Sequence, residues 1–407
     1  MNSFKHFFIG LLTIITISTT GYAQDHEGQV ESRGWFIDSL VAGIDILYNF
    51  AYSQITVFGT QVEWIVIWMA APMVILTFYF GFINLRSFKI ASKIIRGHYH
   101  DDNAPGEVSQ FQALTTALSG TVGLGNIAGV AIAIAIGGPG ATFWMIIIGF
   151  FAMTLKFAEC TLGVKYREIR EDGTVAGGPM YYLEKGLKAK GWGSFGKTLA
   201  WTYAIIAVVA TIPQITQANQ AYSQLSSVIG FSGFTAELSF GLITAFLTGA
   251  VIIGGLRSIA SVTSRLVPLM TIIYLSTALF IIFANIDAIP AAISSIISGA
   301  FSPIAVEGGI IGVIVIGMRR AVYSTEAGLG SATMAHAAAK THEPVAEGMV
   351  ALMEPFIDTI VICTITALVI VITGAYTFTS DSGELLSDIQ MTSAAFGSVI
   401  SWFPYIL

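Results

Sequence analysis

The chain has 407 residues, 54% hydrophobic and only 11% charged, with a formal net charge of −6. Its mean hydropathy is +0.75, whereas a soluble domain carries about 25% charged residues, so a soluble globular fold is excluded. Apolar runs of bilayer-spanning length recur throughout, and about eight spans fit with short loops.

The extreme N-terminus reads as a signal peptide over 1–23. Lys5 and His6 precede the apolar run Phe7 to Ile17, and Gly21-Tyr22-Ala23 supplies small residues at the cleavage positions. Residues 24–63 then form a periplasmic segment holding Asp25, Glu27 and Glu31. Within it, the stretch 35–58 carries Asp38 and Asp45 and is predicted as an amphipathic surface helix. Eight spans follow, at 64–83, 111–136, 141–164, 198–228, 234–254, 266–284, 304–322 and 346–373. They define a transmembrane domain over 64–373, and 374–407 is an extracytoplasmic C-terminal segment. Cys160 and Cys363 fall in apolar runs, with neither metal-ligand spacing nor a disulfide framework, and read as core thiols.

Charge orients the spans. With an extracytoplasmic N-terminus, the loops after spans 1, 3, 5 and 7 are cytoplasmic and hold the Lys and Arg residues, Arg86 to Arg96, Lys165 to Lys197, Arg257 and Arg265, and Arg319, Arg320 and Lys340. The opposite loops hold acids such as Glu237, Asp287 and Asp381, so the pattern obeys the positive-inside rule. The expected location is a bacterial inner membrane.

Span 2 carries Gly120, Gly123, Gly125 and Gly129 near its middle, among Ser119, Thr121 and Asn126. Each glycine costs a helix interior about 1 kcal/mol relative to alanine, so this cluster predicts a broken helix. Broken backbone at membrane depth is tolerated where it is buried in protein or lines a cavity. A break exposes amides that bind a carboxylate and carbonyls that bind a cation such as sodium. Close helix packing through small residues is the competing use of the same glycines.

Span 7 carries Gly308, Gly309, Gly312 and Gly317 between Glu307 and Arg320, and a second break is predicted there. Two interrupted spans running in opposite directions are the pattern of an inverted-repeat transporter. Gly309 and Gly312 accordingly join the candidate substrate contacts. Span 4 holds Gln214, Thr216, Gln217, Asn219 and Gln220 beside Pro213. Gln217 is the chosen ligand, and the others bridge helices. Lys156 and Glu159 read as an ion pair with a snorkelling lysine. Glu354 and Asp358, four residues apart, face a cavity or make capping and helix contacts. HEPVAE is not a zinc motif, and GTVGLG follows no strand and lacks the phosphate-loop lysine. No enzyme, nucleotide or nucleic-acid reading results, and no organic cofactor is implied.

SGTVGLGNIAGVA (119–131), GGPG (137–140), KFAECTLGVKYRE (156–168), GTVAGGPMYYLEKGL (173–187), STEAGLGSATMAHAAAKTHEP (324–344) and EPFIDTIVICTITAL (354–368) together resemble the alanine/glycine:cation symporter family. The resemblance spans about Arg86 to Gly374. It implies an all-α integral membrane protein of the LeuT-type inverted-repeat fold with discontinuous helices. It also implies sodium-driven import of alanine or glycine by alternating access. The amides of Leu124 and Gly125 would hold the substrate carboxylate, and Asn126 would contact the substrate or sodium. Carbonyls near Ser119 and Val122 would join a sodium site, and Gln217 would line the pocket. Expected partners are thus a small neutral amino acid, sodium and membrane lipid. Family members continue through about three more spans beyond the equivalent of Leu407, so the second repeat is expected to be C-terminally incomplete. A non-transporting remnant or membrane scaffold is the rival expectation. Thr325 stands where the family usually has asparagine.

Overall fold

A computed structural model describes residues 49, 53–57, 60–209, 211, 215–302, 309–380 and 383–406. The expected signal peptide and most of the expected amphipathic helix lie outside these residues. Where that segment is described, residue 49 is helical and residues 54–57 are strand. β1 (Gln54–Val57) pairs antiparallel with β2 (Thr60–Glu63), Gln54 opposite Glu63. The β-branched residues Ile55, Thr56, Val57, Thr60 and Val62 favour the extended form over a helix.

The rest is mostly helical. The principal helices are α1 (Trp64–Tyr79), α2 (Phe88–Ile95), α3 (Gln110–Thr121), α4 (Leu124–Gly137) and α5 (Ala141–Lys165). After a short hairpin of β3 (Glu168–Ile169) and β4 (Val175–Ala176) come α6 (Pro179–Ala189), α7 (Gly193–Val209) and α8 (Ile215–Ile229). Then follow α9 (Phe234–Ile252), α10 (Gly255–Ala284), α11 (Ile289–Ala300), α12 (Gly309–Thr325) and α13 (Ser331–Ala337). The last two are α14 (Pro344–Thr373) and α15 (Asp388–Gly397). Among the described residues, five stretches are long and apolar enough to cross a bilayer: Gln110–Gly137 taken across its interruption, α5, α9, α10 and α14. The chain is an integral membrane protein by this measure and by its composition.

Two expected spans differ in the structure. The stretch 198–228 is two helices, α7 and α8, and Pro213 lies between them in the sequence, where its missing N–H cannot serve a continuous helix. The helix expected from 266 begins instead at Gly255, which places Arg257 and Arg265 on α10.

Helix α5 is the hub, packing against α1, α11, α12, α13 and α14. Small residues allow the close approach. A Cβ on Gly317 of α12 would stand 2.5 Å from the Ala141 carbonyl, and one on Gly348 of α14 would stand 2.0 Å from Thr161 Oγ1. The main buried cluster joins Met145 and Ile148 of α5 with Ile134 of α4, Val313 of α12 and Ile370 of α14.

The basic loops expected on one side do gather at one end. Arg167 donates to the carbonyls of Pro105, Ala337, Ala339 and Thr341. Glu107 pairs with Arg257 at 3.4 Å and accepts the Val175 amide. Arg319 and Arg320 depart from the expectation. They lie within α12, and Arg319 is ion-paired with Glu63 at the start of α1, so Arg319 shares a side with the segment placed opposite to it.

Candidate functional site

The first interruption falls where the glycines are densest. Helix α3 opens on a capping box, in which Ser109 Oγ accepts from the Gln112 amide and Gln112 Oε1 accepts from the Ser109 amide. Such a cap contributes about 1 kcal/mol. The helix ends at Thr121, Val122 and Gly123 are extended, and α4 starts at Leu124. The first-turn amides of α4, those of Leu124 and Gly125 among them, have no partner within their own helix.

Asn126 holds the break in shape. Its Oδ1 accepts from the Gly123 amide at 2.9 Å. Its Nδ2 faces Asp358 Oδ1 at 2.5 Å, the Asp358 carbonyl at 3.0 Å and Ser324 Oγ at 3.3 Å. Ser324 and Thr359 hydroxyls each donate to Asp358 Oδ2 at 2.8 Å. Asn126, Thr359 and Asp358 are fully buried, and Ser324 is nearly so. Hydrogen bonds to a charged group contribute about 1.5–3 kcal/mol, so this carboxylate is strongly held. Among the described residues, no Lys, Arg or His forms an ion pair with Asp358. It sits in a π-helical stretch of α14, Phe356–Cys363, and such wide turns recur at functional sites.

Two adjoining cavities meet the break. One, of about 140 Å³, is lined by Val122, Gly123, Asn126, Tyr274, Ile362 and Phe403. The other, of about 460 Å³, is lined by Ser119, Val122, Gly123 and Gln217 among others. Gln217 Oε1 lies 3.9 Å from where a Cβ on Gly123 would stand. The structure therefore brings Ser119, Val122, Asn126 and Gln217 around one break. It does not bring Gly309 or Gly312 there. These two open α12, and Gly312 precedes Ser324 by twelve residues, roughly 18 Å along the helix.

The second interruption lies at the other end of α12. Helix α12 runs unbroken from Gly309 to Thr325, and α13 begins at Ser331. Glu326, Gly328 and Gly330 have φ of 49°, 92° and 78°. At Gly330 a Cβ would also stand 2.3 Å from Pro179 Cγ. Gly309, Gly312 and Gly317, among which a break was expected, are helical, and Gly308 lies outside the described residues. The readable signal was a repeat, because Ala327-Gly328-Leu329-Gly330-Ser331 echoes Val122-Gly123-Leu124-Gly125-Asn126. Helix α4 packs on α12 and α3 on α13, so the two interrupted helices run antiparallel.

A charged cluster backs the second break. Lys156 pairs with Glu354 at 3.0 Å and lies 3.6 Å from Glu159. Glu159 Oε2 accepts the Gly328 amide at 3.1 Å. Lys156 is fully buried and does not snorkel, because its partner carboxylate is inside the bundle. Glu354 is thereby assigned to an ion pair, and Asp358 to the first break. The C-terminal segment folds over the first break. Thr392 donates to the Ile127 carbonyl at 2.9 Å, and Gln220 and Gln224 of α8 bind Asp388, Ser393 and the Pro404 carbonyl.

Comparison with known proteins gives a consistent result. The sequence model of the sodium:alanine symporter family matches residues 47–407. The sodium/alanine symporter AgcS of Methanococcus maripaludis is 39% identical over 328 residues, 80% of this chain and 71% of its own length. An uncharacterized transporter of Haemophilus influenzae is 40% identical over 74% of this chain and 65% of its own length. The uncharacterized transporter YflA of Bacillus subtilis is 40% identical over 72% of this chain and 60% of its own length.

Proposed function

The chain belongs to the sodium:alanine symporter family, and from that premise we propose that it imports a small neutral amino acid, alanine or glycine, coupled to sodium. The fold we assign is the LeuT-type inverted repeat, with the interrupted pairs α3/α4 and α12/α13 as the corresponding helices of its two halves. Residues 1–23 serve as a signal peptide, and the N-terminus is extracytoplasmic in a bacterial inner membrane.

The observation that carries this reading is the meeting, at one break, of helix-start amides without a partner in their own helix with a buried carboxylate that lacks a cationic partner among the described residues. The amides of Leu124 and Gly125 take the substrate carboxylate, since a helix N-terminus favours an anion. Gln217 contacts the substrate from α8. A narrow, largely apolar cavity beside the backbone suits a small side chain.

Sodium is a hard cation that takes oxygen ligands. Carbonyls near Ser119 and Val122 supply some, as in other broken helices. Asp358, Ser324 and Thr359 supply a charged carboxylate and two hydroxyls. Asn126 Nδ2 now stands where these oxygens converge. Turning the Asn126 amide over exchanges a donor for an acceptor at that point and releases the Gly123 amide that Oδ1 holds. A sodium ion there replaces the donor and gains Oδ1 while the break is freed to rearrange. Sodium at Asp358 then removes the negative charge that opposes a substrate carboxylate nearby. This is the electrostatic basis of coupling, and alternating access follows from rearrangement of the two breaks.

The test is uptake of labelled alanine into proteoliposomes holding the chain, with and without an inward sodium gradient. Saturable uptake that requires the gradient is expected. Uptake indifferent to sodium, or none from folded protein, would overturn the reading and favour a membrane scaffold.

A further inference from the structure

The charged cluster behind the second break contains more acid than its fixed cations can match. Helix α13 contributes His336, and α14 contributes Glu347 and Glu354, all three fully buried. His336 Nδ1 lies 2.6 Å from Glu347 Oε1, and His336 Nε2 lies 3.9 Å from Glu354 Oε2. Helix α5 contributes Lys156 and Glu159, with Cys160 beside them. Helix α6 brings Tyr182, the loop after α5 brings Arg167, and the break itself brings Glu326, whose carboxylate binds the Ser331 hydroxyl. Helix α7 brings Tyr203, which donates to the Leu329 carbonyl in the break and lies near Glu159 and Glu326, while helix α3 carries no ionisable residue.

Counting fixed charges decides what the cluster must hold. Lys156 and Arg167 are cations. Burial lowers the Arg167 guanidinium from its ordinary value and Glu347 draws it back up, yet a guanidinium stays charged. Glu326 is only partly buried and lines an open cavity, so its charge is met by water. Against the two cations stand the buried carboxylates of Glu159, Glu347 and Glu354, leaving one negative charge in a water-poor interior. An uncompensated buried charge is among the costliest features a fold can carry. One further proton closes the balance, and histidine is the side chain that takes it near neutral pH.

Two further features point to His336. Among the buried polar atoms that make no hydrogen bond are His336 Nε2 and Glu354 Oε2, which face each other. A cavity of about 530 Å³ also reaches Glu354, lined by Arg170 and Tyr181 at the basic-loop end and by Glu326 near the break. It gives water, and hence a proton, a route in.

We propose that His336, Glu347 and Glu354 form a buried proton-binding site, reached from the basic-loop end, whose occupancy sets the arrangement of the second helix break. The proton enters from water and binds His336 Nε2, leaving an imidazolium between Glu347 and Glu354. Glu354 then has a second cationic neighbour, so Lys156 is shared more evenly with Glu159. Glu159 holds the Gly328 amide, which is how the break senses the proton. Loss of the proton draws Lys156 towards Glu354 and leaves Glu159 to the Gly328 amide, the arrangement seen here, with Lys156 3.0 Å from Glu354 and 3.6 Å from Glu159.

Two readouts test the site, and only the second rests on the symporter reading. The first is nitrogen-15 NMR of histidine-labelled protein in lipid bilayers, with the His336 signal assigned by its loss in His336→Gln. At about pH 7 an imidazolium signal is expected in the wild type, and a neutral imidazole in Glu347→Gln/Glu354→Gln, which removes the carboxylates that favour the charge. Should His336→Gln fail to fold, His336→Asn or the Glu347→Gln spectrum supplies the assignment. A neutral His336 in the folded wild type from about pH 5 to 8 overturns the proposal, whether or not alanine is transported. The second readout is the pH profile of sodium-driven alanine uptake. It is expected to change severalfold over that range in the wild type and to flatten in His336→Gln, and an unchanged profile in the variant overturns the link to the break. Absence of uptake in the wild type counts against symport, and the NMR result still decides the proton site.

Discussion

At the first interruption two residues leave the helix, Val122 and Gly123, whereas at the second five do, Glu326 to Gly330. Both carry the same Gly-Leu-Gly core, yet what holds them differs in kind. Asn126, Ser324, Thr359 and one carboxylate surround the first, which opens onto cavities. A buried lysine, histidine and three glutamates back the second. The difference teaches how a repeated motif divides labour. A site that admits and releases an ion needs a carboxylate not already neutralised by a fixed cation, and Asp358 meets that need. The second break rests instead on charges already inside the protein, with Lys156 between Glu354 and Glu159.

Removing the lysine should break the second region most severely. Lys156→Met leaves Glu354 and Glu159 buried without their cation, and loss of one partner of a buried pair costs about 3–5 kcal/mol. Thermal unfolding in detergent should show a large drop, partly restored in Lys156→Met/Glu354→Gln. A wild-type melting temperature in the single variant would show that the pair does not hold the second break. The first region is more sensitive to bulk than to charge. A Cβ on Gly125 would stand 3.4 Å from Ser324 Cα, so Gly125→Leu forces α4 from α12 at about 1–3 kcal/mol. It should also abolish alanine binding in a calorimetric titration. Gln217→Ala is the mildest. One hydrogen bond of about 0.5–1.5 kcal/mol is lost, so alanine affinity should fall a fewfold to about tenfold with unfolding unchanged. Full affinity in both variants would remove the substrate from this break.

The sequence was most readable where one local property decided the outcome. Four glycines within span 2 marked the first break to within a residue or two, because helix propensity is local. The same rule did not find the second break among the described residues, since Gly309 and Gly312 lie in the first turn of a helix, while the break is made by Glu326, Gly328 and Gly330 with positive φ. Asp358 could not be told from a helix-capping acid, because its partner Asn126 is 232 residues away in sequence. The Lys156–Glu159 pair was read correctly, but the snorkelling of Lys156 was misread for the same reason. Its near neighbour Glu159 was visible at three residues, but its closer partner Glu354 lies on another helix 198 residues away. The strand at Gln54–Val57 was hidden by treating a short β-branched run as the end of an amphipathic helix.

The most direct test of the first break as the shared site of ion and substrate is alanine binding by calorimetry across a range of sodium concentrations, for wild type and Asp358→Asn. Sodium should tighten alanine binding to the wild type. In the variant that dependence should weaken about tenfold or more, the loss expected for one charge-assisted ligand of about 1.5–3 kcal/mol, while the protein stays folded. An identical sodium dependence in folded Asp358→Asn would contradict the account and move the coupling ion elsewhere.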